Sequence, residues 1–536
     1  GPRMTAWWRS AVVYQVYLKS FLDTDGDGLG DFDGVVAKLD HLSSLGVDGI
    51  WFNPCYPSPQ ADGGYDVADY LTIDPGYGGL PAFDRLLTAA HDRGLKVLLD
   101  LVPNHCSDQH PWFQDALVAE PGSPARQRFI FADGRGPDGS LPPNNWTSMF
   151  GGPAWERVPD GQWYLHLFDV GQPDFNWDNP EVAAMFDDVL ATWFERGVDG
   201  FRIDVAHGMV KAAGLPDVAA GELNRHAWNQ PGVHDIFRRW RRVSDSYDRE
   251  LTLVGEAWVS PAHSAEYIRA DELQQVFYFG LIRDPFDAAA FRHTIESVYE
   301  PLTAEHGMPT WTLNNHDVFR AVTRYGVVEP EPSVASPDEN ALLTRVRGRV
   351  DLDLGTRRAT AALLLVLALP GSVYLYQGEE LGLPEVQDLP DEARQDPLWE
   401  RSGHVDHGRD GCRVPLPWES DRPAFGFTAG TPWLPQPDWF ADFAVDREEA
   451  EPTSVLHRYR AALRARREID QDTPLEWLEA GRDDVLAFRR GDLVSVTVFD
   501  GPAYDVPGEW GGLVIGSDPA VTGSRLPAGT TGWYRA

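Results

Sequence analysis

Lysine is almost missing from this chain of 536 residues: it occurs only at Lys19, Lys38, Lys96 and Lys211, and arginine supplies the other cations. With 46 basic against 82 acidic residues the net charge is −36, a field that repels phosphate backbones and anionic bilayers. The expectation is therefore no nucleic-acid partner and no membrane partner. Cysteine is as scarce. Cys55, Cys106 and Cys412 are too few and too widely spaced for a disulfide framework or a zinc site, and read as three reduced thiols. Long apolar runs are lacking too: none reaches the roughly eighteen residues of a membrane span. The longest, Ala359 to Leu369 with Thr360 inside it, has the length of a buried helix. No basic stretch followed by an apolar one opens the sequence, so no signal peptide is expected, and the expected location is cytoplasmic.

What the chain has in plenty is aromatic surface, including 20 Trp, which fills cores and also stacks on the apolar faces of sugar rings. Apolar runs that read as strands recur at 13–21, 49–53, 96–102, 200–205, 251–258, 275–281, 309–314 and 372–377, with helical patterns between them, for instance over 32–45, 80–93 and 181–196. Gly46 and Gly94 stand where helix C-caps belong. Eight strands alternating with helices predict a (β/α)8 TIM barrel. The stretch 104–179 is rich in Pro, Gly, Asn and Trp, lacks helical periodicity, and is too long for a βα loop, so it reads as a domain inserted after strand 3. A second irregular stretch, 381–453, follows strand 8 and should overhang the same mouth. From about residue 470 short strands divided by Gly and Pro predict a C-terminal antiparallel β-domain. The expected division is 4–103 and 180–469 for the barrel, 104–179 for the insertion and 470–536 for the β-domain.

Several strands end in ionisable residues, as at the catalytic mouth of such a barrel. They are Asp100-Leu101-Val102-Pro103-Asn104-His105, Gly200-Phe201-Arg202-Ile203-Asp204-Val205, Leu253-Val254-Gly255-Glu256 and Leu313-Asn314-Asn315-His316-Asp317. Alternation along a strand puts Arg202 and Asp204 on one face, where the guanidinium should hold the carboxylate ionised, as a nucleophile requires. Glu256, among apolar residues, should stay protonated, as an acid requires. Two carboxyls about 5–5.5 Å apart suit a double displacement at an anomeric carbon. Asp317 is placed to reach sugar hydroxyls, and His105 and His316 to donate to them. Each segment alone also fits a structural ion pair; the ordered set carries the functional reading.

With Gly64-Tyr65-Asp66-Val67, Gln172-Pro173-Asp174-Phe175-Asn176-Trp177, Tyr376-Gln377-Gly378-Glu379-Glu380 and Arg409-Asp410 with Arg413, the chain resembles the α-amylase family of glycoside hydrolases, in its α-glucosidase and oligo-1,6-glucosidase branch. The resemblance implies Asp204 as nucleophile, Glu256 as general acid/base and Asp317 as transition-state stabiliser. It implies a glucose subsite lined by Tyr65, Asp66, His105, Phe168, Arg202, His316 and Arg413, closed by an Asp66–Arg413 pair for exo action. The substrates implied are α-glucosides and small oligosaccharides. Asp23-Thr24-Asp25-Gly26-Asp27-Gly28-Leu29-Gly30-Asp31 has the alternate carboxylates of an EF-hand's first positions, but Gly34 stands where its final Glu belongs. By resemblance it is a structural Ca²⁺ loop with Asp23, Asp25, Asp27, Asp31 and the Leu29 carbonyl as ligands; the alternative is a solvated acidic turn. Val205 after the nucleophile is associated in this branch with α-1,6 preference. Here, however, Ala206-His207 replaces the usual Ile-Asn, and Arg413-Val414-Pro415-Leu416-Pro417 also departs from pattern. The expectation is α-1,4 action on maltose and short maltooligosaccharides, with isomaltase, transglucosylase or sugar isomerase as alternatives and a non-catalytic transporter partner as the reading from another class.

Overall fold

The computed structural model describes residues 6–329 and 348–536; the expected barrel's first residues, Met4 and Thr5, and part of its second half lie outside them. Eight parallel strands close into a barrel: β1 (Val12–Val16), β2 (Gly49–Phe52), β3 (Lys96–Leu101), β4 (Gly200–Ile203), β5 (Thr252–Gly255), β6 (Gln275–Tyr278), β7 (Thr310–Thr312) and β8 (Ser372–Tyr376). Each lies beside its neighbours in sequence, and β8 closes on β1 with Val373 opposite Val12. They are buried almost throughout, as strands covered by helices outside and packed side chains inside must be.

The helices follow from their ends. Pro180–Arg196 starts at Asn179, whose side chain accepts the Glu181 N–H, and stops at Gly197, at φ +117°. Leu352–Ala368 starts at Asp351 and contains the long apolar run, buried from Ala359 onward. The pattern over 32–45 forms two helices, Phe32–Ala37 and Leu39–Leu45. They break at Lys38, whose ammonium lies 4.8 Å over the Trp418 ring.

The segment after β3 holds a three-stranded antiparallel sheet (Phe131–Asp133, Trp155–Arg157, Gln162–Leu165) around buried Trp146 and Trp155. It also holds a helix, Pro111–Val118, where none was expected; only Phe113 and Ala116 are buried on it, too few to mark a period. After the barrel, five antiparallel strands form one sheet. Its strand Thr530–Arg535 docks on the Leu352–Ala368 helix through Thr531 to the Ala361 carbonyl (2.8 Å) and Trp533 to the Leu364 carbonyl (3.1 Å).

The inserted segment is fastened to the barrel by a buried ammonium. Lys211, in the loop after β4, pairs with Asp174 of the inserted segment at 2.9 Å and donates to Asn104 past the end of β3 at 2.8 Å, and to the Gly208 carbonyl. The Asp174 side chain is fully buried and that of Lys211 3% exposed, so neither charge has water as an alternative. Lys211→Met should cost about 3–5 kcal/mol, the usual penalty for stranding one partner of a buried pair. Urea unfolding measures it, and a loss below about 1 kcal/mol would show that Asn104 and backbone amides suffice for Asp174.

Candidate active site

Register decides which carboxyls meet. Ile203 pairs with Gly255, so the next residues, Asp204 and Glu256, leave β4 and β5 at one level; the ladder runs one step further, with Asp204 N–H to the Leu101 carbonyl (2.8 Å) and Glu256 N–H to that of Ile203 (2.9 Å). Arg202, two residues below Asp204 on the same face, is 2% exposed. One of its Nη atoms donates to Asp204 (2.8 Å) and Asp100 (3.1 Å), the other to Glu256 (2.9 Å), while the guanidinium lies 4.9 Å over the Trp51 ring. Asp100 is held in turn by the Tyr65 hydroxyl at 2.7 Å.

One cation among three buried carboxyls leaves an excess of negative charge. Burial first, and the Glu256 carboxylate next, push Asp204 well above the ordinary range, with Arg202 pulling the other way. Arg202 thus lowers Asp204, as expected, but burial at the bottom of the mouth and the neighbouring Glu256 oppose it. Burial likewise pushes Glu256 up to about 7 and Asp100 up to about 6, Arg202 again opposing. The pair facing the cavity therefore shares a proton near neutrality, and that proton belongs to the pair.

Asp317, after β7, is the opposite case. Burial works against its charge, but His316, Arg409 and Arg413 hold it far below the ordinary carboxylate range. Arg409 donates to it at 3.0 Å and Arg413 at 3.2 Å. His316 stacks on Tyr65 (5.3 Å between centroids, 8° between planes) and has Nδ1 at 2.8 Å from the Gln15 amide nitrogen. Burial keeps the imidazole neutral, so, with Gln15 donating to Nδ1, the proton is assigned to Nε2, which faces Asp317 at 3.5 Å. Burial also lowers His105 to about 4.

These groups open on one common cavity at the barrel mouth. Eight of the predicted residues line it: Tyr65, His105, Phe168, Asp204, Val205, Glu256, His316 and Asp317. Three do not. Arg202 lies beneath its carboxyls. Asp66 spends both oxygens on the backbone amides of Ala61 (2.7 Å) and Asp62 (3.0 Å), and Arg413 lies behind Asp317, bonded to the His316 carbonyl at 2.8 Å. The ion pair at the cavity is Asp62–Arg409 (2.8 Å), and Arg409 is fixed from behind by both oxygens of Asp396. The Asp66–Arg413 expectation is corrected accordingly: Asp66 builds the turn that presents Asp62. Sequence reasoning also missed Met149, Phe150, Trp228 and Trp258, all in the cavity wall. Only the Asp62-Gly63-Gly64-Tyr65-Asp66 string, with two candidate Asp residues, held a signal for the true pair.

The acidic loop brings carboxylate oxygens of Asp23, Asp25 and Asp27 within 4.8 Å of one another. Such a set of hard oxygens fits Ca²⁺, and crowding shows in Asp27, pushed up to about 6 by burial and by Asp25 and Asp23. Asp31 does not join them. It caps the Phe32–Ala37 helix through the Gly34 N–H (2.8 Å) and holds the Thr24 N–H (2.8 Å) and hydroxyl. The Leu29 N–H donates to Asp27 at 2.9 Å.

The model of the alpha amylase catalytic domain matches residues 15–472. A probable alpha-glucosidase of Rhizobium meliloti is 38% identical over 86% of this chain and 82% of its own length. An oligo-1,6-glucosidase of Parageobacillus thermoglucosidasius is 35% identical over 87% and 84%. Among solved structures, an alpha-glucosyl transfer enzyme, 37% identical, superposes with a TM-score of 0.84 over 99% of this chain and 100% of that one. With the closed barrel, its C-terminal β-sheet and three carboxyls at one mouth, these matches show that the chain belongs to the α-amylase family of glycoside hydrolases, in the α-glucosidase branch.

Proposed function

We propose that this α-glucosidase is a retaining, exo-acting enzyme that releases α-glucose from the non-reducing end of maltose and short α-glucooligosaccharides. The observation that carries it is the Arg202 fork: one guanidinium holds Asp204 and Glu256 side by side at adjacent strand ends. In the first displacement Asp204 attacks the anomeric carbon and forms a glycosyl ester, while Glu256 gives its proton to the departing oxygen. In the second, Glu256 takes a proton from water, which attacks the same carbon and frees Asp204. Asp317, kept ionised by two arginines, accepts from sugar hydroxyls as oxocarbenium charge develops. Asp62 and Arg409 close the subsite behind the terminal ring. That supports exo action, because a chain extended past the terminal 4-hydroxyl would meet their ion pair. Asp204→Asn should abolish turnover, and the wild-type enzyme should release glucose first in the α-configuration; NMR detection of β-glucose as the initial product would overturn the two-step mechanism.

The same ester can be taken by a sugar hydroxyl instead of water. The aromatic side chains of Trp228 and Trp258 in the cavity wall support this second reading, since they offer stacking surface to an acceptor ring. Product analysis at high sugar concentration separates transfer from hydrolysis.

Glu256 must be protonated to begin, so kcat/KM should fall as pH rises through about 7, the direction set by its raised value. Glu256→Gln should lose about 10²–10⁴-fold on maltose, and less on aryl glucosides whose leaving groups need no proton. An equal loss on both would make Glu256 structural only.

For the acidic loop we propose a stabilising Ca²⁺ held by Asp23, Asp25 and Asp27, remote from the chemistry. Binding only the folded state, it would add about 2.7 kcal/mol at a hundred times its dissociation constant. Chelator should lower Tm while leaving activity well below Tm unchanged, and Asp27→Ala should remove that sensitivity. A wild-type Tm indifferent to chelator would leave the loop an acidic turn.

A further inference from the structure

Arg202 has a third carboxyl partner that the two displacements do not use. Asp100 stands directly opposite it across the β3–β4 ladder, while on the β5 side the residue at that level is Val254. The guanidinium is therefore pulled sideways, toward β3, as well as upward to Asp204 and Glu256. Asp100 is fully buried, accepts from Arg202 at 3.1 Å and lies outside the cavity wall, so it touches no substrate.

The far side of Asp100 is built to keep its charge. Its second oxygen accepts from the Tyr65 hydroxyl (2.7 Å) and from the Trp51 indole N–H (3.3 Å). The Tyr65 proton is aimed at Asp100 because the Asn53 amide donates to the same hydroxyl oxygen at 2.8 Å. Asn53 is oriented in turn by the Gln15 amide, which donates to its oxygen at 3.1 Å. Pushed up by burial to about 6, Asp100 is still charged at neutral pH. Around it, burial pushes the Cys55 thiol and the Tyr56 and Tyr65 phenols up, so all three stay neutral. The cation it meets is Arg202; Asp204 and Glu256 lie beyond, and Asp317 faces that pair from the end of β7.

An arginine shared three ways gives each carboxylate less than one it holds alone. We propose that Asp100 is a positioning residue for the reaction: it draws Arg202 toward β3 and sets a fixed negative charge beneath Asp204 and Glu256, so that one proton stays between them when the first displacement begins. The inference rests on the glucosidase reading above. Charge is the part of Asp100 that matters here. An asparagine would still accept from Arg202 with its oxygen, but it would bring no negative charge. Without that charge Asp204 and Glu256 would each give up a proton more readily, since a nearby like charge disfavours ionisation. Asp204 would then be ready to attack at lower pH, and Glu256 would cease to be an acid at lower pH.

The test is the pH profile of kcat/KM for maltose, which rises as the nucleophile ionises and falls as the acid does. In Asp100→Asn both limbs should move to lower pH together, by about one unit or more, the scale on which a neighbouring charge acts. Activity lost on the alkaline side should reappear on the acid side. Tyr65→Phe keeps the ring stacked on His316 and removes only the hydroxyl that holds Asp100 ionised, so it should move the profile the same way but less far. A carboxyl that merely shapes the site would lower the profile without moving it. An unmoved profile in Asp100→Asn, or one moved to higher pH, therefore overturns the inference and leaves the glucosidase reading standing. Tm and near-UV circular dichroism show whether that variant folds; if it does not, the profile of Tyr65→Phe decides by the same criterion. Wild-type enzyme inactive on both maltose and isomaltose would sink the glucosidase reading, and the inference with it.

Discussion

A single guanidinium, buried where β3, β4 and β5 end, sets the terms for the rest of the site. Arg202 has three carboxyl neighbours and almost no contact with water. In a low-dielectric setting three full negative charges could not be held by one positive charge, so the cluster retains protons that isolated carboxyls would lose. The shortage of positive charge around Asp204 and Glu256 is what makes one of them an acid at neutral pH. Asp317, a few residues along the mouth, has the reverse surplus, two arginines for one carboxylate, and stays charged. The same residue type thus takes opposite roles according to how many guanidinium groups reach it.

The surplus also closes the cavity. Arg409 joins Asp62 from the loop after β2, Asp396 from the overhang after β8 and Asp317 from the end of β7. Three loops with no shared secondary structure are thereby fixed relative to one another by one side chain. An error in any one of them would be felt at Asp317.

The barrel was legible because its strands are short apolar runs ending in ionisable residues, and the covalent order of the chain alone puts Asp204, Glu256 and Asp317 at one rim. Tyr65, His105 and His316 were likewise reachable through their motifs, and Phe168 through the family resemblance. What could not be read was anything set by loop geometry. Asp62 and Asp66 both stand in Asp62-Gly63-Gly64-Tyr65-Asp66, and only the fold shows that Asp66 is consumed by backbone amides. Asp31 continues the string of alternate carboxylates, and only the fold shows that it also caps the helix starting at Phe32. The electrostatics of Asp204 were only half legible for a related reason: a local Arg–Asp pair is visible in sequence, whereas Asp100 and Glu256 converge on the same arginine only in space.

Lys211 has a consequence for motion. Its ammonium is shared between the inserted segment, the end of β3 and the turn after the nucleophile. A diffusible ion in that place could leave when the segments part and return when they meet. A tethered one cannot; any hinge that swung the inserted segment away would strip either Asp174 or Lys211 of its partner in a setting where each bare charge costs several kcal/mol. The inserted segment is therefore held as a fixed wall rather than a lid.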